Sequence, residues 1–96
     1  MAAEVLSFQQ EEGKTAYYAT FVSDGNPVTI QIKNKGGYVT VHANIEGMKP
    51  VILYPNVRDS NGVLDSIFRV AGIVAGVEIT IKSATEVLEA KMIKEG

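Results

Sequence analysis

Strict alternation of apolar and polar residues in two neighbouring segments most constrains how this 96-residue chain can fold. The segments are "VTIQIK" at 28–33 and "YVTVHANIE" at 38–46. A period of two places alternate side chains on opposite faces of a β-strand, so each segment is typical of a strand with one buried face. The intervening "NKGG" at 34–37 is a turn signal. The sequence therefore predicts a β-hairpin over 28–46 whose two apolar rows form the core of the fold.

The alternation assigns each residue of the two strands to one face. The apolar rows are Val28, Ile30 and Ile32 on the first strand, and Val39, Val41, Ala43 and Ile45 on the second. The opposite faces hold Thr29, Gln31, Lys33, Thr40, His42, Asn44 and Glu46. An antiparallel sheet commonly has one such polar face, so we expect these seven side chains to meet solvent.

The rest of the chain also favours β-structure. It contains 12 valines, 9 isoleucines and 6 threonines, whose branched side chains fit a pleated sheet better than a helix. Short turn signals recur at 11–14, 24–27, 34–37, 47–50 and 59–62, each with a glycine. Strands are predicted near 3–10, 15–23, 28–33, 38–46, 51–54, 64–71 and 77–82. We expect one domain over residues 1–96: an all-β, antiparallel sandwich of about seven strands, with jelly-roll or immunoglobulin-like topology.

The C-terminal segment 75–93, "AGVEITIKSATEVLEAKMI", can be interpreted in two ways. Ser83 and Glu86 have the spacing of a helix capping box, which predicts a helix over 85–95. Apolar and polar residues nevertheless alternate on both sides of the polar "SAT". The second pattern predicts a strand, a turn at 83–85 and a closing strand paired as a hairpin. We favour the hairpin for residues 84–94, because every other segment is β-rich, and the helix stays open as the alternative.

Charge and composition exclude several function classes. The net charge is −2 and the isoelectric point is about 5.3, which argues against nucleic acid as the main partner. The absence of cysteine excludes disulfides, thiolate nucleophiles and thiolate zinc sites. The N-terminus has no positively charged segment typical of a secretory signal, and no apolar run approaches the roughly 20 residues of a membrane span. We expect no membrane partner and synthesis in the cytoplasm.

Few residues carry recognisable catalytic chemistry. His42 is the only histidine, and it lies on the polar face of a predicted strand, where a structural role is the more common one. No serine stands in a GxSxG pattern, and the glycine-rich run at 70–77 fits neither the Walker pattern nor GxGxxG, so we interpret it as a loop. The sequence predicts no enzyme activity, no catalytic residue and no cofactor.

Two further groups of residues are candidates for ligand binding. Asp59, Asn61 and Asp65 resemble part of a calcium loop, but the loop is incomplete and turn chemistry explains it, so no metal site is predicted. The four tyrosines are Tyr17, Tyr18, Tyr38 and Tyr54. Tyr38 shares a strand face with His42, a composition that a carbohydrate-binding face could show. Packing is the favoured role for the tyrosines because tryptophan, the preferred stacking ring, is absent.

Two stretches resemble a known family. The run 75–93 and the run 26–47, "NPVTIQIKNKGGYVTVHANIEG", resemble small β-sandwich structural proteins of tailed bacteriophages, particularly crAss-like phages. There a glycine turn leads into a "V-x-I-x-S" strand, a short "A-K-aliphatic" strand closes the sheet, and a central hairpin has glycine between two alternating strands. The two stretches cover a little under half of the chain. Glu78 departs from the pattern, since an aromatic or arginine-rich strand often runs there.

The resemblance implies a role in the virus particle. It implies a non-enzymatic auxiliary capsid, or decoration, protein located in the virion, in many copies or as a homo-oligomer. Its partners would be other virion proteins, in particular the major capsid protein, and neither nucleic acid nor membrane. The resemblance implies no catalytic residues. A small carbohydrate-binding module, or another adaptor of the phage particle, is the alternative function.

Overall fold

The protein folds into two antiparallel β-sheets that pack face to face. The computed structural model describes residues 3–54 and 61–95, and for residues 61–65 it describes the backbone alone. The four-stranded sheet has the spatial order β1, β9, β4, β7. Its strands are β1 (Glu4–Val5), β4 (Val28–Gly36), β7 (Asn61–Val70) and β9 (Val87–Lys94). The all-β prediction is therefore confirmed for the described residues.

The second sheet has five strands in the spatial order β2, β3, β8, β5, β6. Its strands are β2 (Gln9–Gln10), β3 (Tyr17–Val22), β5 (Val39–Asn44), β6 (Val51–Tyr54) and β8 (Glu78–Ser83). The strand β8 lies in the middle of this sheet, where all six of its residues pair with β3 on one side and with β5 on the other. Its backbone is thus held on both sides.

The strand pairings are nested around the β5–β6 connection. The nested pairs are β5 with β6, β4 with β7, β3 with β8 and β1 with β9. The nested pairs together form one long two-stranded ribbon. Two further pairings, β4 with β9 and β5 with β8, join distant parts of this ribbon, so that it wraps around itself. Such wrapping of eight strands into two sheets is the jelly-roll topology, with β2 added at one edge. Of the two predicted topologies, the jelly roll is the one that the chain adopts.

The core lies between the two sheets and consists of the predicted apolar rows. Ile30 and Ile32 of β4 and Val39 and Val41 of β5 are completely buried. The neighbouring strands β3, β7, β8 and β9 add Ala19, Val70, Ile79, Ile81, Ala90 and Met92 to the core. The polar residues that alternate with these rows are half-buried or exposed, as predicted. Among the residues of the predicted apolar rows, Ile45 is not buried. Its side chain is 66% exposed, because β5 ends at Asn44.

The predicted hairpin over 28–46 is wrong in its pairing. β4 pairs only with β7 and β9, and β5 pairs with β6 and β8, so the two strands lie in different sheets. Their apolar rows face each other across the core instead of lying side by side. Alternation determines which face of a strand is buried, and both arrangements bury the same faces. The segment between them therefore turns out of the sheet plane.

The C-terminal segment forms a strand, a turn and a strand, which confirms the strand interpretation of residues 84–94 and excludes the helix. The hairpin part of this prediction is wrong, since β8 pairs with β3 and β5 while β9 pairs with β1 and β4. Ser83 does not cap a helix. It ends β8 as a buried residue, and its hydroxyl donates to the carbonyl oxygen of Thr85 at 2.7 Å.

The predicted strand at 3–10 is divided into β1 and β2, which belong to different sheets. Leu6 is buried between them and Phe8 packs against the core. The chain thus passes from one sheet to the other over these residues. This division and the separate strand β9 explain why the described residues form nine strands instead of about seven.

A buried polar cluster joins the two sharp connections β4–β5 and β8–β9. The side-chain nitrogen of Asn34, Nδ2, donates to the Ser83 hydroxyl at 2.9 Å, and its side-chain oxygen, Oδ1, accepts from the Gly36 N–H at 3.0 Å. The Thr85 hydroxyl donates to the Gly36 carbonyl at 2.6 Å. Gly37 has φ of +84°, and a Cβ there would lie 3.2 Å from the Ala84 Cβ. Glycine therefore allows the two connections to approach closely.

Candidate functional site

The outer face of the five-stranded sheet carries a varied polar surface. On β3, β8 and β5, the residues that alternate with the buried core positions point outward. The strand register aligns two rows of them: Tyr18, Lys82 and Thr40 in one, and Thr20, Thr80 and His42 in the next. Residues far apart in sequence are thereby brought side by side on a rigid backbone.

A shallow concavity, which we call the sheet-face depression, lies over these rows. It has a volume of about 370 Å³. Its lining consists of Tyr18, Thr20, His42, Thr80 and Lys82 from the strands, with Glu11 and Pro50 from two connections. The lining combines the rings of Tyr18 and Pro50, three hydroxyls, an imidazole, a carboxylate and an ammonium group. This volume falls within the range of about 300–1,000 Å³ that small-molecule sites show.

Hydrogen bonds join the two threonine hydroxyls in the depression and hold the imidazole against Thr40 beside it. The Thr20 and Thr80 hydroxyl oxygens are 3.2 Å apart, so one donates to the other. The Thr40 hydroxyl oxygen lies 2.9 Å from His42 Nε2. A hydroxyl can donate one hydrogen bond and accept two, so the threonine pair keeps capacity for a ligand.

Glu11 brings a negative charge to the depression, and two lysines hold it there. Its carboxylate oxygens lie 3.0 Å from Lys82 Nζ and 3.1 Å from Lys14 Nζ. The hydrogen bond from Lys82, followed by that from Lys14, lowers the pKa of Glu11 below its ordinary value. Glu11 is thus negatively charged at neutral pH.

His42 is neutral at neutral pH for two reasons. Partial burial disfavours the imidazolium, and the nearby Lys82 ammonium repels it, so the pKa of His42 lies below its ordinary value. The unfolded chain, whose histidine titrates near pH 6.5, takes up the proton before the folded chain does. Domain stability should therefore fall as the pH drops below about 6.5.

We expect the His42 imidazole to titrate with a midpoint below about 6.5. Because this is the only histidine, its ring carbon signals in ¹H–¹³C NMR spectra can be followed without assignment ambiguity. Lys82→Gln should move the midpoint upward, since it removes the repulsive charge. A midpoint at or above 6.5 in the native protein would contradict the burial of this ring.

The structure separates the four tyrosines. Tyr38, which the sequence placed on the candidate carbohydrate face, is 63% exposed and does not line the sheet-face depression. Tyr18 is the ring that does. Tyr54 packs against the core, and Tyr17 is half-buried. The sequence named Tyr18 only as one of four candidate tyrosines, because its place in the depression depends on β3 lying beside β8, a pairing that no local pattern indicates.

A second surface lies where the connections 23–27, 45–50 and 71–77 meet, and we call it the loop end. Two of these connections, 23–27 and 71–77, are tied together by Ser23, which exchanges backbone hydrogen bonds of 2.8 Å with Val77 and Gly76. A depression of about 390 Å³ lies at this end. Its walls include Ile45, Met48, Val51 and Val74, each between 63% and 72% exposed.

The sequence also singled out a glycine-rich run and a partial calcium loop. The glycine-rich run contributes the β7–β8 connection, as the loop interpretation required. The partial calcium loop of Asp59, Asn61 and Asp65 lies outside the residues whose side chains are described. Among the described residues, no group of three His, Asp or Glu side chains is arranged to hold a metal ion, and no helix could cross a membrane.

Comparisons with known proteins found no relative of this chain. No protein-family model, no curated protein and no solved structure matches this chain.

Proposed function

We propose that the protein is a non-enzymatic structural protein of a virus particle, an auxiliary capsid (decoration) protein that binds the capsid surface in many copies. The observation that carries this proposal is the loop end, where four large apolar side chains are exposed together. Covering apolar surface contributes about 25 cal/mol per Å², and the centres of protein interfaces are apolar. The loop end is therefore the part of the described surface that would gain most from contact with another protein.

The resemblance to phage structural modules also favours the loop end as the contact surface. The stretches that carry the resemblance, 26–47 and 75–93, supply Ile45 and Val77 to the depression at the loop end. The turns "DGNP" at 24–27 and "GMKP" at 47–50 also lie there. The turn "DSNG" at 59–62 is not among the segments that the structure describes in full. A capsid protein subunit is the partner that this combination favours.

Mass spectrometry of purified virus particles from the source tests the location. We expect the protein in the particles at a copy number of the same order as the major capsid protein. Absence from the particles, or only a few copies in each, would contradict the proposal.

Rebinding to particles that lack the protein tests the surface. The double variant Ile45→Ser/Val74→Ser should sediment with such particles at least about tenfold more weakly than the native protein, because it removes two apolar contacts. Ile67→Ser is the matched control: Ile67 is 67% exposed but lies on β7 in the other sheet. Equal losses for the double variant and the control would contradict docking through the loop end.

A further inference from the structure

We propose that the sheet-face depression binds a neutral sugar ring of a glycan. This site lies on the outer face of the five-stranded sheet and does not depend on the proposed function. The lining offers an aromatic ring at Tyr18, a hydroxyl pair at Thr20 and Thr80, and the charged pair Glu11 and Lys82. These groups surround one concavity of about 370 Å³.

The chemistry of a pyranose matches this lining. A pyranose has an apolar face of C–H groups and an equatorial rim of hydroxyls that both donate and accept hydrogen bonds. The rings of Tyr18 and Pro50 can cover the apolar face, since aromatic rings have a large apolar surface. Carboxylate and ammonium groups form the stronger hydrogen bonds to hydroxyls, and Glu11 and Lys82 supply one of each.

Charge selects a neutral sugar over an acidic one. Within the lining, Glu11 carries the only negative charge and Lys82 the only positive one, and the two are 3.0 Å apart. His42 is neutral at neutral pH because its pKa is lowered. The lining itself thus has no net charge, and Lys14 lies just outside it, 3.1 Å from the other carboxylate oxygen of Glu11. An anionic ligand would have to displace Glu11 from both lysines. A neutral polyhydroxylated ring can instead bridge the pair without breaking it.

The backbone holds the binding groups in place before a ligand arrives. Thr80 and Lys82 lie on β8, the central strand, which is hydrogen-bonded on both sides. Thr20 and His42 are the register partners of Thr80 on the two neighbouring strands. Because the sheet fixes the backbone positions of these residues, a ligand loses less affinity through ordering the site.

NMR titration with defined sugars tests the site. The probes are the methyl glycosides of glucose, galactose and mannose as neutral rings, with glucuronate and N-acetylneuraminate as acidic ones, each up to tens of millimolar. We expect at least one neutral glycoside to shift the backbone amide signals of residues 17–22 and 78–83. Tyr18→Ala should then lower the affinity at least about tenfold, which corresponds to about 1.4 kcal/mol.

Two conservative variants distinguish loss of sugar binding from loss of folding. Thr80→Val keeps the shape of the strand and removes one hydroxyl, so it should weaken binding severalfold, whereas Tyr18→Phe, which keeps the ring, should bind nearly as well as the native protein. Thr29→Val, on β4 in the other sheet, is the matched control and should bind unchanged. The proposal is overturned if no neutral glycoside shifts these signals, if the acidic sugars alone do so, or if Tyr18→Ala and Thr80→Val both bind like the native protein.

Discussion

Val41→Asp is expected to unfold the domain. Val41 is completely buried on β5, opposite the apolar row of β4, and no basic side chain is buried there among those that the structure describes. Moving an unpaired carboxylate into such a site costs several kcal/mol. A domain of this size is stable by only about 5–15 kcal/mol, so one buried charge can remove most of the stability. Loss of dispersed amide signals in an NMR spectrum, or loss of a cooperative thermal transition, would report the unfolding.

Thr40→Asp is the control for this prediction, since it introduces the same side chain one residue away. Thr40 points to the outer face, is half-exposed and is the register partner of Lys82, so a carboxylate there remains solvated and close to a positive charge. We expect its free energy of unfolding to lie within about 0.5–1 kcal/mol of the native value. Equal damage from both substitutions would contradict the assignment of the two faces of β5.

Asn34→Ala is expected to lower the free energy of unfolding by about 2–4 kcal/mol. Asn34 is completely buried, and its side chain serves both the Ser83 hydroxyl and the Gly36 N–H. The substitution removes both contacts and leaves the Gly36 N–H without its side-chain acceptor. Urea denaturation followed by circular dichroism measures the change. Gln31→Ala, an exposed position on the same strand, should change the stability by less than about 0.5 kcal/mol.

The double variant Asn34→Ala/Ser83→Ala distinguishes a hydrogen-bonded cluster from simple loss of packing. Removing both partners of a buried hydrogen bond costs less than the sum of the single changes, because no unsatisfied partner remains. We therefore expect the double variant to be more stable than additivity requires, by about 0.5–2 kcal/mol. Additive effects would mean that the 2.9 Å contact between Asn34 and Ser83 contributes no coupling.

The candidate surfaces were only partly predictable from the sequence. His42 and Thr40 were assigned to a polar strand face, and the structure agrees. Their neighbours in the sheet-face depression could not be named, because Thr20 and Thr80 are 60 residues apart and meet only through the pairing of β3 with β8. Likewise, the exposure of Ile45 follows from the end of β5, whereas alternation predicted its burial.

The sequence by itself determined where most strands lie and which face of each is buried. Alternation in 28–33, 39–44 and 78–82 is a local property, and a strand buries its apolar row whatever its neighbour is. The tertiary structure alone decided the pairing. β4 and β5 are separated by two residues yet lie in opposite sheets, and β8 and β9 are separated in the same way by three. A hairpin and a crossover between sheets bury the same side chains, so only long-range contacts, such as Asn34 with Ser83, select the crossover.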